Sequence, residues 1–254
     1  DESVDKNFGT GVVKITPAHD FNDFEVGRRH NLPMRQVIGF DGKMNEHAGK
    51  FKGLYVKEAR RAVIEEMQKK GLIEKIDEKY ITRLSLCYKC KNVLEPLPLE
   101  QWFIKVKPLA QKAIKTVKEG KINITPSNFE AIYFQWLENL RDWNISRQIV
   151  WGIRIPAWFC EKCSNWTVTS GSVPEKCSKC SSNSLTQDTD TFDTWFSSSQ
   201  WPFATLQTGE PGDYEKFYST TVMETGYDIL RWWVARMVMV GLYVTEKVPF
   251  ENVV

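Results

Sequence analysis

Apolar residues recur at helical spacing in YVKEARRAVIEEMQKKG (55–71): Ala59, Val63 and Met67 fall on one side, and Gly71 supplies a stop. The stretch KPLAQKAIKTVKEG (107–120) predicts a second helix ended by Gly120, with a short strand and a proline after it. The aromatic-rich FEAIYFQWLENLRDWNISRQ (129–148) predicts a third helix. Short apolar runs mark strands at GVVKIT (11–16), at RQVIGF (35–40), twice within LIEKIDEKYITRLSL (72–86) and at KFYSTTVME (216–224). HDFNDFEVGRRH (19–30) reads as a turn entering a helix. The most apolar run, DILRWWVARMVMVGLYV (228–244), predicts one buried helix with Ile229, Trp233, Met237 and Val240 on one face. Interrupted by Arg231 and Arg236, it falls short of the ~20 residues a membrane-spanning helix needs. Helices and strands alternate late in the chain, which predicts α/β there after a more irregular, strand-rich early part.

Composition changes this picture little. Over 254 residues, 42% hydrophobic and 26% charged positions are ordinary for a soluble globular protein of one large domain or two smaller ones. With 34 basic and 32 acidic residues the net charge is +2, so any nucleic-acid contact needs a local patch. The opening DESVDKNFGTG lacks the basic start and apolar core of a secretion signal.

The cysteines change it more. Cys160 and Cys163 pair as CEKC, Cys177 and Cys180 as CSKC, and thirteen residues separate the two pairs. Four thiolates at this spacing form a tetrahedral zinc ligand set, favoured here over disulfides or plain core packing. A third pair, Cys87 and Cys90 in CYKC, cannot close a tetrahedron alone. Paired cysteines without a secretion signal predict a reducing, cytoplasmic setting.

Two further constellations stand out. Lys14, Thr16, His19, Asp20 and Asp23 lie within ten residues around a proline turn, where they could bind an amine and a hydroxyl. The plain alternative is a capped turn, with Asp20 or Asn22 capping the next helix and Lys14 solvated. Most of the tryptophans fall in RDWNISRQIVWGIRIPAWF, DTWFSSSQWPF and GYDILRWWVARM. These suit either an aromatic core or an apolar pocket that measures a small aliphatic group.

Together GTGVVKITPAHDFNDFEVGRRHNLP, QWFIKVKPLAQKAI, WLENLRDWNISRQIVWGIRIPAW, DTDTFDTWFSSSQWPF and TGYDILRWWVARM resemble the valyl-tRNA synthetases, class I enzymes, over nearly the whole chain. The resemblance implies an α/β fold: the second half of a class I nucleotide-binding (Rossmann-like) catalytic domain, the C-terminal part of a strand-rich editing domain, and a zinc knuckle. The implied divisions are 1–82 for the editing part, 83–128 for a connecting region and 129–254 for the catalytic half, with the knuckle at 160–180. The parent activity would be ATP- and Mg2+-dependent attachment of valine to tRNA(Val), with hydrolytic editing of mischarged threonine. A monomer without membrane contact is expected.

Residue by residue, the resemblance assigns Asp23 to the α-ammonium of the misacylated residue, and Lys14, Thr16 and Asp20 to the same editing pocket. His19 would shape the turn, and no catalytic base is assigned. Trp195, Ile229 and Trp233 match the walls of the valine pocket. Arg231 departs from the family's usual aromatic residue, and Asn144 replaces a common cysteine. Cys160, Cys163, Cys177 and Cys180 match a self-contained zinc knuckle; Cys87 and Cys90 match half of a second site whose other pair would lie upstream. The His-x-Gly-His and Lys-Met-Ser-Lys-Ser motifs that grip ATP do not occur in the sequence. The chain is therefore expected to be an internal fragment, inactive by itself. The alternatives are a fragment of an isoleucyl-tRNA synthetase and a standalone zinc-bearing module for tRNA binding or trans-editing.

Overall fold

Two helices carry most of the regular structure in the first hundred residues. The computed structural model describes residues 1–254 and separates them into two units, Asp1–Glu100 and Gln101–Val254. In the first unit, α1 (Phe21–His30) starts at Asp20, whose side chain accepts the amides of Asn22 and Asp23. It ends at Asn31 in the left-handed region (φ 52°), where a short polar side chain is tolerated. Gly27 lets this helix close on the preceding turn, since a Cβ there would stand 2.8 Å from the Pro17 ring. Helix α2 (Val56–Lys69) is entered where Glu58 accepts the Tyr55 amide at 3.0 Å, and Gly71 follows it with φ +64°. Ala59 is buried, whereas Met67, expected on the same face, is exposed.

The strands expected in this unit are absent. GVVKIT and LIEKIDEKYITRLSL hold no strand, and RQVIGF contributes only the bridge between Ile38 and Met44. A strand-like sequence needs a neighbour for its amides and carbonyls. Val12 (85% exposed) and Ile81 (91% exposed) have none here. The strand-rich early part predicted from sequence is thus corrected to two helices, a 3-10 turn over Glu46–Phe51 and isolated bridges.

The second unit is built on a parallel sheet. Its elements are β1 (Phe103–Ile104), α3 (Lys107–Lys118), β2 (Asn123–Ile124), α4 (Asn128–Glu138), β3 (Trp143–Asn144) and β4 (Ser146–Arg147). There follow β5 (Ala157–Cys160), β6 (Asn165–Val168), β7 (Leu185–Gln187), β8 (Thr191–Phe192), α5 (Thr194–Ser198), α6 (Trp201–Gln207) and α7 (Asp213–Phe217). Last come β9 (Thr220–Met223), α8 (Ala235–Val244) and β10 (Phe250–Val253). The parallel sheet runs β2–β10–β9, and β9–α8–β10 is a strand–helix–strand crossover. A separate antiparallel sheet, β6–β5–β7, carries the Cys160/Cys163 and Cys177/Cys180 pairs at its end.

The core explains the apolar runs. Ala110, Ala113 and Val117 recur on one face of α3, where small side chains let it lie close to Met237 and Val238 of α8. Tyr133 and Leu137 of α4 and Phe250 and Val253 of β10 complete the cluster. Residues 101–128, expected in a connecting region, thereby supply α3 and β2 to the core and sheet of this unit. The third predicted helix is shorter than expected: it stops at Glu138, and 143–147 form β3 and β4 against β1 and β8. The run at 228–244 is not one helix either. It divides into a 3-10 turn (Tyr227–Ile229), a π turn (Leu230–Val234) and α8, which is buried around its whole circumference from Ala235 to Gly241. The extra residue of a π turn rotates what precedes it by about 100°, which takes Ile229 off the face of Met237 and Val240, while Trp233 still packs against the cluster of Met237. No helix is long and apolar enough to cross a membrane.

Candidate metal centre and pocket residues

The four sulfurs of Cys160, Cys163, Cys177 and Cys180 lie within 4.8 Å of one another. Cys160 Sγ stands 3.6 Å from Cys180 Sγ, and Cys163 Sγ 3.6 Å from Cys177 Sγ. A tetrahedron with metal–sulfur bonds of about 2.3 Å has edges of about 3.8 Å, so the quartet can hold one ion. Backbone geometry prepares it. Ser164 and Ser181, each following the second cysteine of a pair, take φ 52° and 56° and donate their amides to the carbonyls of Cys160 (2.8 Å) and Cys177 (3.0 Å). The amides of Cys180 and Lys179, directed at Cys177, hold its thiol down to about 6; the Lys179 amide lies 3.4 Å from the sulfur. Burial among the other three sulfurs pushes the Cys163 thiol up to about 12, and an ion in the centre would remove that penalty.

The remaining pair has the same backbone. Lys91 takes φ 60° and donates to the Cys87 carbonyl at 2.9 Å. The Cys87 amide reaches Asn92 O at 2.8 Å, just as the Cys177 amide reaches Ser182 O at 2.8 Å. Cys87 is half-buried and Cys90 exposed, and the amides of Cys90 and Lys89 lower the Cys87 thiol.

Among the other candidates, the first unit brings Lys14, Thr16 and Asp23 into one chain of hydrogen bonds. Asp23 Oδ2 accepts the Thr16 amide at 2.7 Å and its hydroxyl at 3.0 Å, and Lys14 Nζ donates to that hydroxyl at 3.1 Å. Asp20 is the helix cap that plain turn chemistry predicts, and it joins the group only through the Asp23 amide. His19 is held at both nitrogens: Nε2 accepts the Val37 amide at 2.9 Å, and Nδ1 lies 3.2 Å from Pro96 O, to which it donates in the matching tautomer. It therefore shapes the turn.

In the second unit, Trp195 stands on α5 and packs into a buried cluster with Trp143, Phe203 and Tyr218. Trp233 donates its indole N–H to Ser198 O at 3.0 Å, tying the π turn to the end of α5. Ile229 closes the adjoining 3-10 turn and is half-buried. A cavity of about 290 Å3 opens beside this segment at the carboxyl ends of the parallel strands, lined by Ile124, Phe129, Tyr227, Leu230 and Val253. Such an edge is where open α/β sheets take ligands. Arg231 is exposed, with its guanidinium 6.0 Å from the Trp232 ring centre. Asn144 donates to Gln101 Oε1 at 3.1 Å and accepts the Ser146 amide at 2.9 Å, a local network that engages both ends of its amide.

Sequence reasoning missed one group. Arg236 is 6% exposed, and its guanidinium carbon lies 4.6, 5.1 and 5.3 Å from the ring centres of Trp143, Trp136 and Trp232. Burial pulls this group down to about 10; Asp193 counters the shift and Arg147 adds to it, and it stays charged at neutral pH. The signal was an arginine inside the most apolar run, where a charge persists only if it is paired or caged.

The family described as "tRNA synthetases class I (I, L, M and V)" matches residues 52–254. The chain belongs to this family. Relatives named Valine--tRNA ligase align with all of it: 49% identical in Syntrophotalea carbinolica, 48% in Clostridium tetani and 47% in Petrotoga mobilis. This class I chain spans 28% of the length of the first of these relatives and 29% of the other two. The parallel sheet of the second unit, with its crossover helix, lies wholly inside the matched range.

Proposed function

We propose that this chain is part of a valine–tRNA ligase, an enzyme that activates valine with ATP and Mg2+ and attaches it to tRNA(Val). The single observation that carries the reading is identity of 47–49% to proteins of that name across every residue of the chain. Trp195, Ile229 and Trp233 would wall the valine side chain. Walls of this kind exclude one extra methylene, as in isoleucine, by roughly 1–3 kcal/mol. They cannot reject threonine strongly, because its hydroxyl fits the same volume; valyl enzymes are the reference case for this limit of roughly 10²-fold.

A second, hydrolytic pocket answers that limit, and Lys14, Thr16 and Asp23 are proposed to line part of it. Both hydrogen bonds from Thr16 land on Asp23 Oδ2, which leaves Oδ1 to accept an α-ammonium. Lys14 polarises the Thr16 hydroxyl, and the pair can read a ribose or threonine hydroxyl. Asp20 serves by fixing the first turn of α1, which aims Asp23. Hydrolysis would use a positioned water.

The quartet of Cys160, Cys163, Cys177 and Cys180 is proposed to hold Zn2+, whose chemistry there is structural, fixing the end of the β6–β5–β7 sheet. Cys87 and Cys90 are proposed as half of a second such site. The setting is cytoplasmic and the enzyme a monomer.

Amino-acid-dependent ATP–pyrophosphate exchange tests the reading, with the complete gene product run beside this chain. Valine should lead isoleucine and threonine in the complete protein, and this chain alone should be silent. Exchange led by isoleucine would overturn the assignment, and exchange by this chain alone would overturn its reading as a part.

A further inference from the structure

The π turn at Leu230–Val234 puts Trp233 against α5, and a helix does not keep such a turn without cause. Arg236 supplies one. Its side chain folds back along its own helix, and Nη1 donates to Trp232 O at 2.8 Å and to Arg231 O at 3.5 Å. Both carbonyls belong to the widened turn. The guanidinium is held there by Trp136 of α4, Trp143 of β3 and Trp232 of the π turn itself. Three rings from three elements therefore fix one cation, and that cation holds the carbonyls of the two residues before Trp233. Asp193, which caps α5, balances its charge through space, while Arg147 opposes it.

We propose that Arg236 is a positioning residue for amino-acid selection: clamped among Trp136, Trp143 and Trp232, it holds the π turn in register and so sets where Trp233 and Ile229 stand. This rests on the reading of Trp195, Ile229 and Trp233 as the side-chain pocket. Without the clamp the segment can relax toward an unbroken α-helix, which rotates Ile229 by about 100° relative to α8 and shifts Trp233 from the end of α5. Arg236 touches no substrate in this account, and its effect reaches the pocket only through the backbone of its own helix.

The test uses the complete enzyme and the variants Arg236→Met, which keeps length and loses the donors, and Arg236→Lys, which keeps charge and one donor. In ATP–pyrophosphate exchange below the melting temperature of each variant, Arg236→Met should raise KM for valine at least about tenfold. KM for ATP should stay unchanged, and the preference for valine over isoleucine should fall. Arg236→Lys should recover part of the valine KM. Trp232→Ala strips the most exposed wall of the cage and should move valine KM in the same direction; it carries the test if neither arginine variant folds. Variants that melt earlier but keep the parental KM and preference would show a merely structural arginine and sink the proposal. Trp233→Ala, run in parallel, separates the two failures. If it leaves valine KM unmoved, the pocket reading falls; if it raises KM while the cage variants do not, only the role of Arg236 falls.

Discussion

Trp143 donates its indole N–H to Asp193 Oδ2 at 2.9 Å, with both side chains buried. The same oxygen lies 3.2 Å from Arg147 Nη2, while Oδ1 accepts the Trp195 amide at 3.4 Å and starts α5. One carboxylate thus joins β3, β4 and the helix that carries Trp195. Asp193→Ala leaves an indole N–H without a partner and two arginines without their counter-charge. Because Arg147 is 39% exposed, water takes up part of that cost, and the loss should be about 2–3 kcal/mol in chemical denaturation. Asp193→Asn, which keeps an acceptor, should lose less. Equal stability of Asp193→Ala and the parent would contradict the junction.

The metal centre predicts a count. The chain purified under reducing conditions should carry one zinc, and Cys177→Ser or Cys160→Ser should release it and expose 157–187 to protease. Cys87→Ser should leave the count at one, because the four-cysteine group is complete without it. Metal analysis of the three variants settles each arm, and two zincs per chain would show a partner for Cys87 and Cys90.

How much of this was legible beforehand follows physical lines. The cysteine quartet was readable because metal spacing is a local property, and the cap at Asp20 because it acts within three residues. Helices α2 and α3 were readable from their periodicity and their glycine stops. The strands at 11–16 and 72–86 were not, since strand formation depends on a partner elsewhere in the chain. The π turn escaped because one inserted residue leaves an apolar run looking helical while changing which residues share a face. Arg236 escaped for a related reason: its cage draws on 136, 143 and 232, and no spacing rule links those positions.

Tyrosine ionisation gives a pH-dependent prediction. Burial pushes the Tyr133 phenol far above the usual range, and its hydroxyl is buried without a hydrogen-bond partner. Burial also raises Tyr218, partly offset by its bond to Thr245 at 2.9 Å. An unfolded chain ionises tyrosine near pH 10. Between that pH and the raised folded values the folded state holds more protons than the unfolded one, so stability is complete below about pH 10 and falls as pH rises beyond it. Spectrophotometric titration should find two of the eight tyrosines ionising only as the fold is lost. Tyr133→Phe removes the unpartnered hydroxyl and should raise stability by about 1 kcal/mol.

The neighbouring carboxylates Asp20 and Asp23 separate cap from pocket. Asp20 accepts two amides at the start of α1, and Asp20→Ala should cost the first unit about 1 kcal/mol, the ordinary worth of a helix cap. Asp20→Ser restores an acceptor of similar reach and should recover most of that stability. Asp23 lies in the first turn of the same helix, and its Oδ2 is committed to Thr16. Asp23→Asn keeps an acceptor for the Thr16 amide but removes the negative charge that an α-ammonium requires. In the complete enzyme it should therefore slow hydrolysis of threonine from mischarged tRNA(Val) by at least about tenfold, with little change in melting temperature. Asp20→Ser should leave that hydrolysis near the parental rate. If Asp23→Asn edits normally while Asp20→Ser does not, the cap and the binding carboxylate have been exchanged, and the aspartate nearer the turn is the one that meets the substrate.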